Sequence, residues 1–156
     1  MLTVPPSGWY DREIVRVILA HSLGRMGAPD VTGWTSGELS RIGQAEELQI
    51  ASARPDGTMR PFVTIWVVRI EDDLYVRSAF GPANPWYRRA KARGAGRIRA
   101  GGVEREVTFA EPAAGMDAAI DEAYHAKYDR YGPALVDPVV GPQAGEVTIR
   151  LMPRTT

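Results

Sequence analysis

Leu48-Gln49-Ile50-Ala51-Ser52-Ala53, then Arg54-Pro55-Asp56-Gly57, then Phe62-Val63-Thr64-Ile65-Trp66-Val67-Val68-Arg69-Ile70 is the stretch that decides the fold. The first run has the two-residue period of a strand. Proline and glycine in the middle block are placed to start and finish a turn. The third run is apolar on both faces, with Phe62, Thr64, Trp66 and Val68 on one and Val63, Ile65 and Val67 on the other. A strand covered on both sides suits a barrel wall with a helix outside it. Further on, an acidic turn at 71–73 leads into a strand over 74–79, and Gly101-Gly102 joins strands over 97–100 and 103–109. A glycine pair suits a two-residue primed turn. A last strand covers 146–152. Tight turns demand antiparallel pairing. Six short strands with apolar interiors close into a barrel more readily than they sit as an open sheet. The expected class is mainly β with helices (α+β): a six-stranded antiparallel split β-barrel with flanking helices.

Helical signals surround these strands. Residues 1–10 read as a loose arm, and 11–26 as an amphipathic helix ended by Gly27 and Pro29; it either packs on the barrel or covers a ligand site. Thr35 and Glu38 form a capping box for a short helix stopped by Gly43. Asn84 and Pro85 open a helix that Gly94 ends. Residues 116–131 place Ile120, Tyr124, Tyr128 and Tyr131 on one face, and 132–145 read as a Pro/Gly-rich loop. At 156 residues a single domain is expected, organised as an N-terminal arm and helix over 1–33 and a barrel over 34–156.

Composition narrows the function. There are 19 basic and 19 acidic side chains, so nucleic acid is disfavoured as a partner. Cysteine is absent, which excludes disulfides and thiolate metal sites. No apolar run approaches the ~20 residues of a membrane helix, and a cytoplasmic protein is expected. The basic residues are nonetheless uneven: Arg88, Arg89, Lys91, Arg93, Arg97, Arg99 and Arg105 fall within 84–105 against only Glu104 before residue 106.

Chemistry is best placed where a strand, a glycine loop and a capped helix follow one another, from Ser78 through Phe80 and Gly81 to Asn84-Pro85-Trp86-Tyr87-Arg88-Arg89. Free N–H groups at a helix start bind anions. Arg88 and Arg89 fall early in the helix, where positive charge is unfavourable by ~0.3–1 kcal/mol; they either reach solvent or meet a bound phosphate. With Gly101-Gly102 as the turn, Arg99 is expected opposite Glu104 and Arg97 opposite Glu106, as structural pairs. Arg60 and Arg77, near strand ends, are either surface charges or part of a ligand mouth. Trp66, Trp86 and the three tyrosines are either core or stacking partners for a planar ring. His21 and His125 stand far apart, with no nucleophile elbow, HxxxH pair, dinucleotide fingerprint or P-loop. No metal site is expected. Any hard chemistry would come from a bound cofactor.

The segment 60–68, the strand 74–78, Pro85-Trp86-Tyr87-Arg88-Arg89-Ala90 and the Gly101-Gly102 hairpin together resemble the flavin-binding split-barrel superfamily, the class of the pyridoxamine-phosphate oxidases. The pattern is similar to the deazaflavin-dependent nitroreductases and nearest to a small bacterial family of uncharacterised proteins. The resemblance implies a homodimer or monomer that binds flavin mononucleotide (FMN) or a deazaflavin coenzyme and passes hydride to a small organic acceptor. It points to Arg60, Thr64, Arg77, Ser78, Gly81, Asn84, Trp86, Arg88 and Arg89 for the cofactor. It points to Trp66 and Phe80 for substrate, and to Tyr124, Tyr128 and Tyr131 as catalytic tyrosines. The loop departs from those nitroreductases, which carry a lysine and a Gly-Gly-Ala-like sequence where this chain has Ser78-Ala79-Phe80-Gly81-Pro82. The alternatives are a cofactor-free cyclase or isomerase on the same barrel, or a ligand-binding protein without turnover.

Overall fold

The computed structural model describes residues 33–154; the expected N-terminal arm and helix lie outside the described residues. In chain order the elements are α1 (Ser36–Gln44), β1 (Leu48–Ser52), β2 (Val63–Ile65), β3 (Val68–Ile70), β4 (Asp73–Arg77), α2 (Pro85–Arg93), β5 (Ala95–Ala100), β6 (Val103–Ala110) and α3 (Asp117–Tyr128). A 3-10 turn (Asp129–Tyr131), α4 (Pro133–Val136), a second 3-10 turn (Asp137–Val139), α5 (Pro142–Gly145) and β7 (Thr148–Pro153) complete it.

All seven strands form one antiparallel sheet in the order β2-β1-β5-β6-β7-β4-β3. Its two edge strands, β2 and β3, are consecutive in the chain, joined by Trp66 and Val67 alone. The sheet therefore curls until its ends meet at that junction, a half-barrel with helices on its flanks. This is the expected class with one strand more than expected. The run over 62–70 is not one strand. Side chains of α3 take the backbone of Val67: the Tyr128 hydroxyl accepts from its N–H at 3.2 Å, and Lys127 Nζ donates to its carbonyl at 2.8 Å. With both groups engaged there, the ladder breaks and the chain crosses from one sheet edge to the other.

Local chemistry explains the other elements. Thr35 and Glu38 make the capping box of α1, at 3.1 and 3.0 Å. The Arg54–Gly57 turn closes with Gly57 N–H donating to the Arg54 carbonyl at 2.9 Å, and Gly57 takes φ +91° as a glycine can. The Gly101-Gly102 hairpin sets the register Arg99↔Glu104 and Arg97↔Glu106. Arg97 bonds Glu106 at 3.0 Å and reaches Glu104 at 3.5 Å, while Arg99 turns away to lie 3.7 Å over the Phe62 ring. Residues 132–145, read as loop, contain α4 and α5: Pro133 and Pro142 each start a short helix where a missing N–H is harmless.

Two apolar cores result. The larger fills the barrel with Leu48, Ile50, Leu74, Val76, Ile98 and Leu151 beneath α1 and α2. Trp34 is fully buried in it, its indole N–H donating to the Leu151 carbonyl at 3.1 Å. The second lies under α3, where Ile120, Tyr124 and Tyr128 meet Val68 and Tyr75. No helix among the described residues is long and apolar enough to cross a membrane.

Candidate functional site

Helix α2 is the element along which an arginine-lined groove forms. Trp86, Tyr87 and Ala90 are buried, whereas Arg88, Arg89, Lys91 and Arg93 are exposed. Asn84 caps the helix through its backbone carbonyl, which accepts from Tyr87 and Arg88 at 3.0 Å; its side chain makes no cap bond. Gly94 ends the helix at φ +75° and donates to the Ala90 carbonyl at 2.7 Å. No acidic residue occupies the first turn.

Between α2 and the turn after β1 runs a groove of about 980 Å³. It is bordered by Ala53 and Pro55, by Arg60, and by Pro85, Tyr87, Arg88, Arg89, Lys91, Ala92 and Arg93. None of these is acidic. Arg60, Arg88, Arg89 and Arg93 form no salt bridge among the described residues, whereas Lys91 pairs with Glu111 at 2.5 Å. Arg60 and Arg89 also border a small cleft beside it with Ser52, Val63 and Trp86. The Arg60 backbone is held by the Ser52 carbonyl at 2.9 Å, and its side-chain Nε is buried with no hydrogen-bond partner. A buried donor left unmet on a charged group carries a desolvation penalty of about 1–3 kcal/mol or more. The groove thus gathers arginines without acidic partners among the described residues, beside the positive end of a helix dipole. It fits an anionic group.

The structure brings Arg60, Trp86, Arg88 and Arg89 together here, with Asn84 at the helix start. The other residues singled out from sequence stand elsewhere. The Arg77 side chain is fully buried and engaged in the fold: Nε donates to Thr148 Oγ1 at 2.9 Å, one terminal nitrogen to Asp121 at 2.5 Å and the Val139 carbonyl at 2.8 Å, and the other to the Asp117 carbonyl at 3.4 Å. Ser78 is buried and bonds the Gly81 carbonyl at 2.7 Å, which folds their loop on itself. Phe80, in that loop, has φ +67° and is 83% exposed. Thr64 is exposed on the edge strand β2, opposite Gln49.

The aromatic ridge forms a separate cluster. Trp66 stacks on Tyr128 at 3.9 Å, nearly parallel. The Tyr128 hydroxyl also donates to the Glu46 carbonyl at 2.8 Å. Tyr124 is wholly buried, with no partner for its hydroxyl and the Arg77 guanidinium 5.7 Å from its ring. Burial raises the pKa of both phenols above the ordinary tyrosine value, so they stay protonated at neutral pH. Tyr131 is partly exposed and bonds Glu46. None of the three borders the groove. Tyr87, which does, is the aromatic hydroxyl that sequence reading passed over. Its place followed from α2 alone, one turn ahead of Ala90 and Lys91. Its pKa is raised by burial, against the pull of nearby Lys91. Among the described residues no cluster of three or more His, Asp or Glu side chains is placed to hold a metal ion.

Residues 38–151 match the model of a family described as "Uncharacterized protein conserved in bacteria (DUF2255)". No curated protein matches the sequence significantly. Among solved structures, a candidate pyridoxamine 5′-phosphate oxidase from Listeria innocua is similar at 14% identity, with 75% of this chain and 90% of that one covered and a TM-score of 0.53. The heme storage protein HutZ from Vibrio cholerae is similar at 11% identity, with 75% and 87% covered and a TM-score of 0.50. An F420 reductase matches at 21% identity, with 74% and 92% covered and a TM-score of 0.49. At these identities the likeness to the first two structures shows the split-barrel fold alone.

Proposed function

This chain belongs to that bacterial family, and we propose that it is a flavin- or deazaflavin-dependent reductase that anchors the phosphate of its cofactor in the groove along α2. One observation carries the reading: four arginines without acidic partners among the described residues line one groove. Arg88 and Arg89 would grip the anion from the N-terminal half of α2, and Arg60 from the strand side. Trp86 and Tyr87, buried beneath, hold the helix at a set height over β1 and β5. When bound, a flavin or deazaflavin supplies hydride transfer. The tyrosines of α3 support the β2–β3 junction in this reading and take no part in proton transfer. A homodimer is part of the proposal, because β2 is an edge strand with Val63 and Thr64 exposed; light scattering at the dimer mass is the expected result.

One observation favours a second reading, a carrier that holds its ligand without turnover. The groove is bordered by arginines, a lysine in an ion pair and a tyrosine whose pKa is raised, so no group that titrates near neutral pH lines it. A thermal melt with FMN or a deazaflavin coenzyme, followed by anaerobic mixing of the reduced complex with a nitroarene or an enone, separates the two. A raised melting point with acceptor reduction supports the reductase. A raised melting point without reduction supports the carrier. No shift with any such cofactor overturns both.

A further inference from the structure

Away from the arginine groove, a smaller cavity of about 280 Å³ opens between α1, β3 and α3, bordered among others by Ser40, Gly43, Gln44, Arg69 and Lys127. Lys127 stands out chemically. The chain holds 19 lysines and arginines, of which only Lys91 and Lys127 are lysines. Lys91 is locked to Glu111 at 2.5 Å. Lys127 forms no salt bridge among the described residues. Its Nζ donates to the Val67 carbonyl at 2.8 Å and lies 5.1 Å from the centroid of the Tyr128 ring. Glu46 and Arg130 act on it from a distance, with opposite sign, and Arg69 faces the same cavity from β3. Among the described residues no acidic side chain borders the cavity.

We propose that Lys127 is a reactive amine that forms an imine with small aldehydes bearing a carboxylate, admitted through the cavity between α1 and α3. The neutral amine adds to the carbonyl carbon; the carbinolamine then loses water, so the step needs no oxidant or further reactant. Arg69 supplies the positive charge for the carboxylate, its own Nε being anchored on the Glu71 carbonyl at 2.6 Å. Gln44, which donates to Ser40 at 3.3 Å, offers polar groups to the carbinolamine hydroxyl. Burial lowers the Lys127 pKa to about 8, against the opposing pull of Glu46. About a quarter of it is then free base at pH 7.5, whereas an ordinary lysine near 10.4 is about one part in a thousand free. The ion pair with Glu111 raises the pKa of Lys91 and keeps it protonated.

The test is reductive trapping of the native protein with glyoxylate and cyanoborohydride at pH 7.5, read by peptide mass spectrometry. Lys127 should be labelled at least about tenfold faster than Lys91, as the free-base fractions require, with a rate that rises toward a midpoint near pH 8. Lys127→Arg should remove that label. Arg69→Gln should slow labelling by glyoxylate several-fold and leave labelling by propionaldehyde unchanged. Equal labelling of the two lysines in the native chain overturns the proposal, as does Lys127 labelling that begins only in urea.

Discussion

Replacing Arg77 with methionine separates a fold role from a ligand role for the most deeply placed arginine among the described residues. Methionine keeps the apolar stem of the side chain and ends where the guanidinium begins. It removes the bonds to Thr148, Asp121, Val139 and the Asp117 carbonyl in one step. Asp121 keeps the Gly141 amide at 3.2 Å but loses its guanidinium. Removing one partner of a buried pair costs about 3–5 kcal/mol. The Asp121 side chain is 30% exposed, so water recovers part of that and the low end applies. About 3 kcal/mol corresponds to a melting point lower by roughly 6–12 °C for a domain of this size. Far-UV circular dichroism melts of Arg77→Met, Asp121→Asn and the double variant give the loss and the coupling between the two. The folded variant should bind an anionic ligand as the wild type does. A melting point within about 3 °C of the wild type, together with a large loss of ligand affinity, would refute the structural role and return Arg77 to the site.

Three further outcomes test the packing and electrostatics. Gly96→Ala should destabilise by about 3 kcal/mol or more in urea titrations, because its Cβ would stand 2.0 Å from the Ala51 carbonyl oxygen, which is backbone and cannot yield. Phe80→Gly should raise stability by up to about 1 kcal/mol: the left-handed conformation costs a side chain about 1–2 kcal/mol, and the extra freedom of glycine in the unfolded chain returns part of it. A lower melting point would show that the exposed ring has an unseen contact. Burial pushes the Glu38 carboxyl up, yet the Thr35 amide and Arg105 together hold it below the usual value. Its stabilising effect is therefore full above the ordinary carboxylate pKa and fades as pH falls through the lowered one. The stability gap between the wild type and Glu38→Gln should narrow as pH drops from about 5 toward 3, and a gap independent of pH would contradict this.

Much of the fold is local and was legible. The Thr35–Glu38 box, the Pro85 start and Gly94 stop of α2, and the glycine-pair hairpin each depend on residues a few positions apart, and each formed as read. What was not legible depends on distant partners. The break between β2 and β3 requires Tyr128 and Lys127, some sixty positions away in sequence, to take the backbone of Val67. Periodicity places Tyr124, Tyr128 and Tyr131 on one helix face and cannot say whether that face meets a ligand or a second core. Arg77 and Arg60 are both arginines at strand ends. Only the arrival of Asp121, Thr148 and Val139 around the first, and of nothing around the Nε of the second, distinguishes them. The local charge excess around α2 was legible as well, since Arg88, Arg89, Lys91 and Arg93 all border the groove, although helical spacing alone sets only Arg88 opposite Trp86 and Ala90.

The most direct measurement compares FMN with riboflavin, which lacks the phosphate, by calorimetric titration of the wild type and of Arg88→Ala/Arg89→Ala. A phosphate held by these arginines should make FMN tighter by about 1.5–3 kcal/mol, roughly ten- to a hundredfold. The double substitution should close that gap and leave riboflavin affinity unchanged. Equal affinity for the two compounds in the wild type, or a gap that survives the substitutions, would contradict the groove as the anchor.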